Sequence, residues 1–256
     1  MQENKARLRP SDERCAHPCI PRDGDRITSV GQSGSGKTTV LVRSLVRDVV
    51  DDGRKALLFD PTGDVTKYLL KGGAANEPLA AECVARVRSV GEAREQLEGG
   101  GVSAWFRRSP VRVLSLTLKE CPTYDALMKL WLELALHEDR DGWVLFADEG
   151  YLLFPTTLNP KQPAMKLLGL VRNRRQRLYT TANYMVLLAT QLRSNTEHAC
   201  VFRLSNQRQV DACEWLGDSA WFEQSRRLEK FRYLYRGPTT EGELPELSAI
   251  TSPLPW

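Results

Sequence analysis

The chain has 256 residues, of which 41% are hydrophobic and 27% are charged, and its net charge is +4. This length allows one large α/β domain and is too short for two such domains. Acidic residues interrupt the longest apolar stretches, so none reaches the roughly 20 residues of a membrane-spanning helix. No basic and apolar leader opens the chain. We therefore expect a soluble intracellular protein without a membrane span.

The cysteines are scattered, and three of the six lie in apolar or helical stretches where a free thiol packs as a small core residue. A disulfide framework is therefore not expected. The run from Cys15 to Cys19, which includes His17, offers at most three zinc ligands and has no matching pair further along the chain. Metal binding there stays an open alternative.

The first predicted elements alternate between strand and helix. Residues 1–24 are charged and punctuated by prolines, and we interpret them as an N-terminal arm. Residues 26–30 predict a strand, residues 37–50 a helix, and residues 55–60 a second strand that is apolar enough to be buried on both faces. This alternation is typical of βαβ units and of a mainly parallel central sheet flanked by helices.

The remainder of the core, which we expect to span residues 25–236, repeats this pattern. Further strands are predicted at 85–90, 111–116, 143–148, 184–191, 200–205 and 231–237, and helices at 121–139 and 163–178. Residues 237–256 are rich in Pro, Thr and Ser, so we expect this tail to lie along the surface or to be mobile.

A phosphate-binding loop, or Walker A motif, lies between the first strand and the first helix. Gly31, Gly36, Lys37 and Thr38 fit the pattern G-x-x-x-x-G-K-[ST] in the expected context. Glycines let successive backbone N–H groups point at phosphate oxygens, and the helix start adds its positive dipole end. The motif predicts an α/β P-loop NTPase of the RecA-like, additional-strand type. The residues expected to bind ATP are Gly31, Gln32, Ser33, Gly34, Ser35, Gly36, Lys37, Thr38 and Thr39.

Two side chains of this loop have predicted chemical roles. We expect Lys37 to reach the β- and γ-phosphates and the Thr38 hydroxyl to bind Mg²⁺. A second acidic element follows the apolar strand 143–148, where Asp148 and Glu149 come at the carboxyl end. Asp148 is predicted to hold Mg²⁺ through its water shell, and Glu149 to act as the general base that polarises the attacking water. Such a pair can also mark an ordinary strand-to-turn boundary.

Gln191 closes the predicted strand 184–191, which we expect to lie beside the Asp148 strand. Its amide can contact both the γ-phosphate and the attacking water, although a polar strand terminus would show the same residue. Residues 166–203 contain seven Lys or Arg and the single acid Glu197, which indicates a local basic surface. A solvated helix face is the alternative interpretation. Few aromatic residues lie among these charges, which favours contact with the backbone of a duplex over stacking on single-stranded bases.

These motifs together resemble those of the FtsK and HerA superfamily of DNA-pumping ATPases. The pattern formed by Asp60, Pro61, Gly63 and Asp64 separates this superfamily from other P-loop families. The resemblance covers roughly residues 26–236. Within the superfamily, the short chain resembles the genome-packaging ATPases of tailless, membrane-containing icosahedral viruses.

The resemblance implies a homo-oligomeric ring, usually a hexamer, with ATP at each subunit boundary and double-stranded DNA in the central channel. It also implies an arginine that reaches the γ-phosphate of the neighbouring subunit. The usual arginine-glycine pair and the proline after the glutamine are absent here, so the position of that arginine stays open. Arg175 and Arg174 are the first choices, and the other candidates are Arg172, Arg177 and Arg193.

The function implied is that of an ATP-hydrolysing motor that translocates double-stranded DNA, most specifically into a viral capsid. Such a motor would work in the host cytoplasm or at a virion vertex, docked on a capsid vertex or portal-type membrane protein. A plasmid-conjugation or filamentous-phage assembly ATPase of the same superfamily is the first alternative. A weakly hydrolysing nucleotide-dependent switch is the second, and Glu149 argues against it because a switch has little use for a dedicated base.

Overall fold

The structure is a computed structural model, and it describes residues 20, 24–71, 79, 81–86, 89, 110–119, 121–137, 140–205, 209, 224–237 and 246–249. The strands are β1 (Arg26–Val30), β2 (Ala56–Phe59), β3 (Val84–Arg86), β4 (Val113–Leu116), β5 (Val144–Ala147), β6 (Arg177–Ala182), β7 (His198–Phe202), β8 (Arg232–Arg236) and β9 (Glu246–Ala249). The α-helices are α1 (Lys37–Val50), α2 (Asp64–Lys71), α3 (Tyr124–Leu136), α4 (Pro163–Asn173) and α5 (Thr190–Ser194).

The described strands form one sheet in the order β3-β4-β2-β5-β6-β1-β7-β8-β9. Neighbours from β3 to β7 pair in parallel, whereas β8 and β9 add antiparallel strands at one side. Strands β1, β2 and β4 to β7 are buried at every residue. The predicted α/β fold with a mainly parallel central sheet is confirmed.

Helices cover both faces of the sheet, and the side chains of β2 show how the core divides. Leu57 and Phe59 point into a cluster built with α3 and α4, where the fully buried Trp131 packs edge-on against Phe59. Ala56 and Leu58 point to the opposite face, into a cluster built with α1 and α2. Burial on both faces explains why these strands read as continuous apolar runs and not as alternating ones.

Three adjacent strands bring the predicted site together. β6 lies between β5 and β1, and Ala147 pairs with Thr180 while Val30 pairs with Ala182. The carboxyl ends of parallel strands meet at one edge of a sheet, which is where ligands bind in open α/β folds. We call this the carboxyl edge.

The prediction of a strand at residues 184–191 is wrong. The strand beside β5 is β6, the predicted helix 163–178 ends at Asn173, and residues 185–187 form a short 3-10 helix. The polar side chains of Arg177 and Tyr179 can be buried in β6 because each donates a hydrogen bond of 2.8 Å to the Asp48 carboxylate on α1. The apolar run after β6 instead packs into the core beyond the carboxyl edge.

Residues near both ends of the chain join the described fold. Ile20, in the predicted arm, is buried against α1, and its N–H donates to Ser44 Oγ at 3.1 Å. Residues 246–249, in the predicted tail, form β9 and pair with β8. The possible metal ligands Cys15, His17 and Cys19 lie outside the described residues, as do residues 87, 88 and 90 of a predicted strand.

Among the helices that the structure describes, none is long and apolar enough to cross a membrane.

Candidate active site

The phosphate-binding loop connects β1 to α1 and is fastened to its neighbours. The N–H of Gly31 donates to Ala182 O at 3.3 Å, and that of Gln32 donates to Arg203 O at 3.0 Å. A Cβ atom at Gly31 would lie 2.6 Å from Phe202 Cβ, and φ there is +144°, so only glycine fits this position. The loop is therefore held at the carboxyl edge by the strands on both sides of β1.

The amino end of α1 faces the loop without a side-chain cap. Gly36 takes the N-cap position with a left-handed φ of 109°, and the first turn contains no acidic residue. The first N–H groups of a helix lack partners within the helix and carry the positive end of its dipole. This end of α1 can therefore accept an anion such as phosphate.

A cleft of about 220 Å³ opens at the carboxyl edge beside this loop. Residues of the loop and α1, the start of α2, the ends of β5 and β6 and the turn before β8 surround it. The lining residues are Ser33, Gly34, Gly36, Lys37, Thr38, Thr39, Thr62, Asp64, Tyr68, Asp148, Glu149, Thr181, Asn183 and Phe231.

Lys37 spans the cleft from the first turn of α1. Its Nζ donates to Gln32 O at 2.8 Å and to Asn183 Oδ1 at 2.9 Å. Burial lowers the pKa of Lys37 to about 8, although the carboxylates of Glu149 and Asp148 oppose that shift. The ammonium group is thus largely desolvated, and a polyphosphate would supply the negative charge that favours its protonated form.

Asp148 follows β5 and lies opposite the start of α1. Its Oδ1 accepts hydrogen bonds from Thr181 Oγ1 at 2.6 Å and from Thr38 Oγ1 at 3.4 Å. Burial, together with the nearby Asp60 and Glu149, raises the pKa of Asp148 to about 7 against the opposing Thr181 hydrogen bond and Lys37. Mg²⁺ prefers oxygen ligands. The Thr38 hydroxyl and the Asp148 carboxylate place two oxygen atoms side by side, so they fit the ligand set of this ion.

Glu149 takes an unusual backbone conformation directly after Asp148. Its φ is +54°, in the left-handed region, and its N–H donates to Thr181 Oγ1 at 3.1 Å. A Cβ atom on the next residue, Gly150, would lie 2.1 Å from Thr180 Cγ2. The chain therefore turns sharply against the end of β6, and this turn directs the Glu149 side chain into the cleft.

Asn183, the residue after β6, contacts both Lys37 at the phosphate-binding loop and Glu149 after β5. Its Oδ1 accepts from Lys37 Nζ, and its Nδ2 donates to Glu149 Oε1 at 2.9 Å. Neither Asn183 nor Thr181 was predicted from the sequence. The β-branched and aromatic residues just before Asn183 favour a strand that ends there, and this signal could have identified both residues.

Gln191 does not occupy the position predicted for it. It is exposed in the first turn of α5 and is absent from the described lining of the cleft, and its main-chain carbonyl accepts from Asn195 Nδ2 at 2.7 Å. The reason is that β6 ends at Ala182, so the polar residue that follows the strand is Asn183 and not Gln191.

Of the candidate arginines, Arg174 and Arg175 lie in the turn before β6, at the edge of the sheet opposite the cleft, and Arg177 is the first residue of β6. Arg172 is exposed on α4, and Arg193 lies on α5. Arg174 donates from Nη1 to the carbonyls of Leu136 and His137, both at 3.0 Å, which ties α4 to the end of α3. Arg177 is buried in its ion pair with Asp48. Arg175 is exposed and has a φ of +52°, where the chain turns from α4 into β6. None of these three lines the cleft of its own chain.

The segment from Asp60 to Asp64 forms the wall of the cleft next to β5. Asp60 is buried after β2, and its carboxylate accepts from the N–H and hydroxyl of Thr66 at 2.8 and 2.7 Å. Gly63 turns the chain with a φ of +80°. These contacts fix the start of α2, so that Asp64 and Tyr68 face the cleft.

Comparison with solved structures shows which class of protein has this architecture. The chain is similar to the genome-packaging NTPase B204 of Sulfolobus turreted icosahedral virus 2 in complex with AMPPCP, with 12% identity and a TM-score of 0.61 over 88% of this chain and 97% of that one. It is also similar to VirB4 of Thermoanaerobacter pseudethanolicus, with 10% identity and a TM-score of 0.60 over 91% of each chain. The bacterial conjugative coupling protein TrwB matches with 12% identity and a TM-score of 0.58 over 91% of this chain and 88% of that one.

At 10 to 12% identity, these similarities show a shared fold. The chain has the P-loop NTPase fold. No protein-family model and no curated protein matches its sequence.

Proposed function

We propose that this protein hydrolyses ATP with Mg²⁺ and uses the energy to translocate double-stranded DNA, most specifically to package a viral genome. The observation that carries the proposal is the connected set of Lys37, Asn183 and Glu149, with Asp148 beside them, in one cleft. A P-loop alone would serve binding, whereas an acid aimed at the same cleft serves hydrolysis.

The chemistry follows from the positions of these side chains. The loop amides and Lys37 would bind the β- and γ-phosphates, and Thr38 with Asp148 would hold Mg²⁺. The ion, when bound, supplies positive charge that stabilises the phosphates. Glu149 would take the proton of the attacking water, and Asn183 Nδ2 would keep the Glu149 carboxylate in place when Lys37 leaves Asn183 Oδ1 for the nucleotide.

Asn183→Ala is expected to lower ATP turnover by about 10- to 100-fold while leaving ATP affinity within a few-fold, because the amide positions Glu149 and does not carry charge. The control is Gln191→Ala, which should turn over ATP at the rate of the unaltered protein. Steady-state hydrolysis and equilibrium ATP binding test both variants. A larger loss in Gln191→Ala than in Asn183→Ala would contradict the assignment of this role to Asn183.

The DNA part of the proposal is supported by the exposed cations Lys166, Arg172, Arg175 and Arg203 and by the DNA-handling proteins that share the fold. We expect duplex DNA of any sequence to stimulate ATP hydrolysis, and the stimulation to fall steeply between about 50 and 200 mM salt because phosphate contacts release counterions. The measurement is the ATPase rate with two unrelated duplexes over that salt range. Stimulation by only one of them, unchanged by salt, would argue against a translocase.

We infer a homo-oligomeric ring, with the hexamer that the resemblance implies as the expected form, and the position of Arg175 at the edge of the sheet opposite its own cleft supports it. Arg175 can therefore act only on the cleft of another chain, whereas Arg174 and Arg177 are held by internal contacts. We also propose that such a ring works in the host cytoplasm or at a virion vertex. It would dock there on a capsid vertex or portal-type membrane protein.

Conjugation or filamentous-phage assembly is the second candidate role, favoured by the similarity to VirB4 and TrwB. The two roles share the ATPase site and differ in the partner that anchors the ring. Co-purification of the chain with a capsid protein or with a secretion-channel protein would separate them. A weakly hydrolysing switch is less favoured, because Glu149 is held in the cleft by both its backbone and its side chain.

A further inference from the structure

One aromatic residue in the cleft has a conformation that bulky side chains rarely adopt. Phe231 has a φ of +66° at the turn just before β8, and it lines the cleft. Its N–H donates to Ser35 O in the phosphate-binding loop at 3.1 Å, which fixes the turn to that loop. A disfavoured backbone conformation held by the surrounding structure is characteristic of functional sites.

The sheet order places Phe231 on the side of the loop away from the acids. Asp148 follows β5, on one side of β1, whereas β8 lies on the other side, beyond β7. Because β8 runs antiparallel to β7, its first residues lie at the carboxyl edge, where Tyr233 pairs with Phe202. A triphosphate on the loop, with its γ-phosphate toward Asp148, therefore has its nucleoside directed toward Phe231.

The Phe231 ring lies between the core and an exposed lysine side chain. The ring is half-buried and packs partly against the core cluster of α1, and the exposed Lys230 has its Nζ 4.9 Å from the ring centroid. An aromatic ring at the end of a polar, phosphate-binding cleft offers a stacking surface to a nucleobase, since every base has a π-face.

We propose that Phe231 stacks on the base of the bound nucleotide and determines the preference of the site for nucleotides over bare polyphosphate. This inference rests on the proposed binding of nucleotide at the loop. Stacking does not read the hydrogen-bonding edge of a base, so the contribution of Phe231 is the same for ATP and GTP.

The test compares Phe231→Leu with Phe231→Trp, using Mg²⁺ complexes of ATP, GTP and inorganic tripolyphosphate as probes. We expect Phe231→Leu to bind ATP and GTP roughly 5- to 150-fold more weakly, the loss expected for one base-aromatic contact. Tripolyphosphate affinity should not change, and Phe231→Trp should bind all three probes nearly as tightly as the unaltered protein. Tyr184→Leu, which removes an aromatic side chain 47% exposed outside the described lining of the cleft, is the control and should change none of these affinities.

The remaining outcomes each have a defined meaning. Unchanged ATP affinity in Phe231→Leu would overturn the stacking proposal, and so would an equal loss of ATP and tripolyphosphate, which would show that the ring only supports the loop. If the unaltered protein bound neither ATP nor tripolyphosphate, the proposed nucleotide site itself would fail, and with it the basis of this inference. Thermal unfolding of each variant confirms that it is folded.

Discussion

Replacing Lys37 by alanine is expected to weaken ATP binding by about 100-fold or more, because the variant loses the buried cation that we propose binds the β- and γ-phosphates. The burial of this ammonium group, which lowers its pKa to about 8, means that water does not compensate for the loss. Equilibrium binding of ATP measures the effect. Lys166→Ala, which removes an exposed lysine from α4, is the matched control and should bind ATP normally.

ATP affinity within a few-fold of the unaltered protein in Lys37→Ala would contradict the assignment of the loop. The same variant also tests the arginine proposed to act on a neighbouring chain. A Lys37→Ala subunit has a defective cleft but an intact Arg175, so mixing it with inactive Arg175→Ala subunits should restore part of the hydrolysis. Mixed assemblies that form normally and stay inactive would place the trans-acting arginine elsewhere.

Glu149→Gln is expected to bind ATP with unchanged affinity and to lose turnover by about 10² to 10⁴-fold, because the amide keeps the shape of the side chain and cannot accept the proton of water. The contact with Asn183 can persist, since a glutamine oxygen also accepts its N–H. Single-turnover hydrolysis and ATP binding, measured on the same preparation, separate the two effects.

The control for this variant is Glu133→Gln, which makes the same change at an exposed position of α3. It should hydrolyse ATP at the normal rate. If Glu149→Gln also hydrolysed at the normal rate, the general base would be another group in the cleft. If it lost ATP binding as severely as Lys37→Ala, Glu149 would instead be part of the binding site.

The local motifs could be predicted because their chemistry lies in consecutive residues. The P-loop from Gly31 to Thr38 needs only the strand before it and the helix after it, and both were predicted with the observed bounds. Asp148 and Glu149 were recognised from the apolar strand that precedes them. Alternating strands and helices were likewise sufficient for the α/β fold, since burial on both faces leaves its mark on each strand separately.

The order of the strands, in contrast, depends on contacts between distant residues. Two segments follow one another between residues 177 and 191, one rich in β-branched and aromatic residues and one apolar, and either could be a strand by its composition. The first segment forms the strand because Arg177 and Tyr179 are buried in hydrogen bonds to Asp48 on α1. The polar residue that follows the strand is therefore Asn183 and not Gln191. The residue that joins Lys37 to Glu149 was therefore missed.

What the sequence alone determined about this protein is the phosphate-binding loop, the pair of acids and the class of fold, because each is written in a short segment. The tertiary structure decided which other side chains meet that loop. Asn183, Thr181 and Phe231 reach the cleft because β6 and β8 lie on either side of β1, a consequence of packing among strands far apart in the chain. Side chains that meet only through such packing are far apart in the sequence, so no single local pattern groups them with the loop.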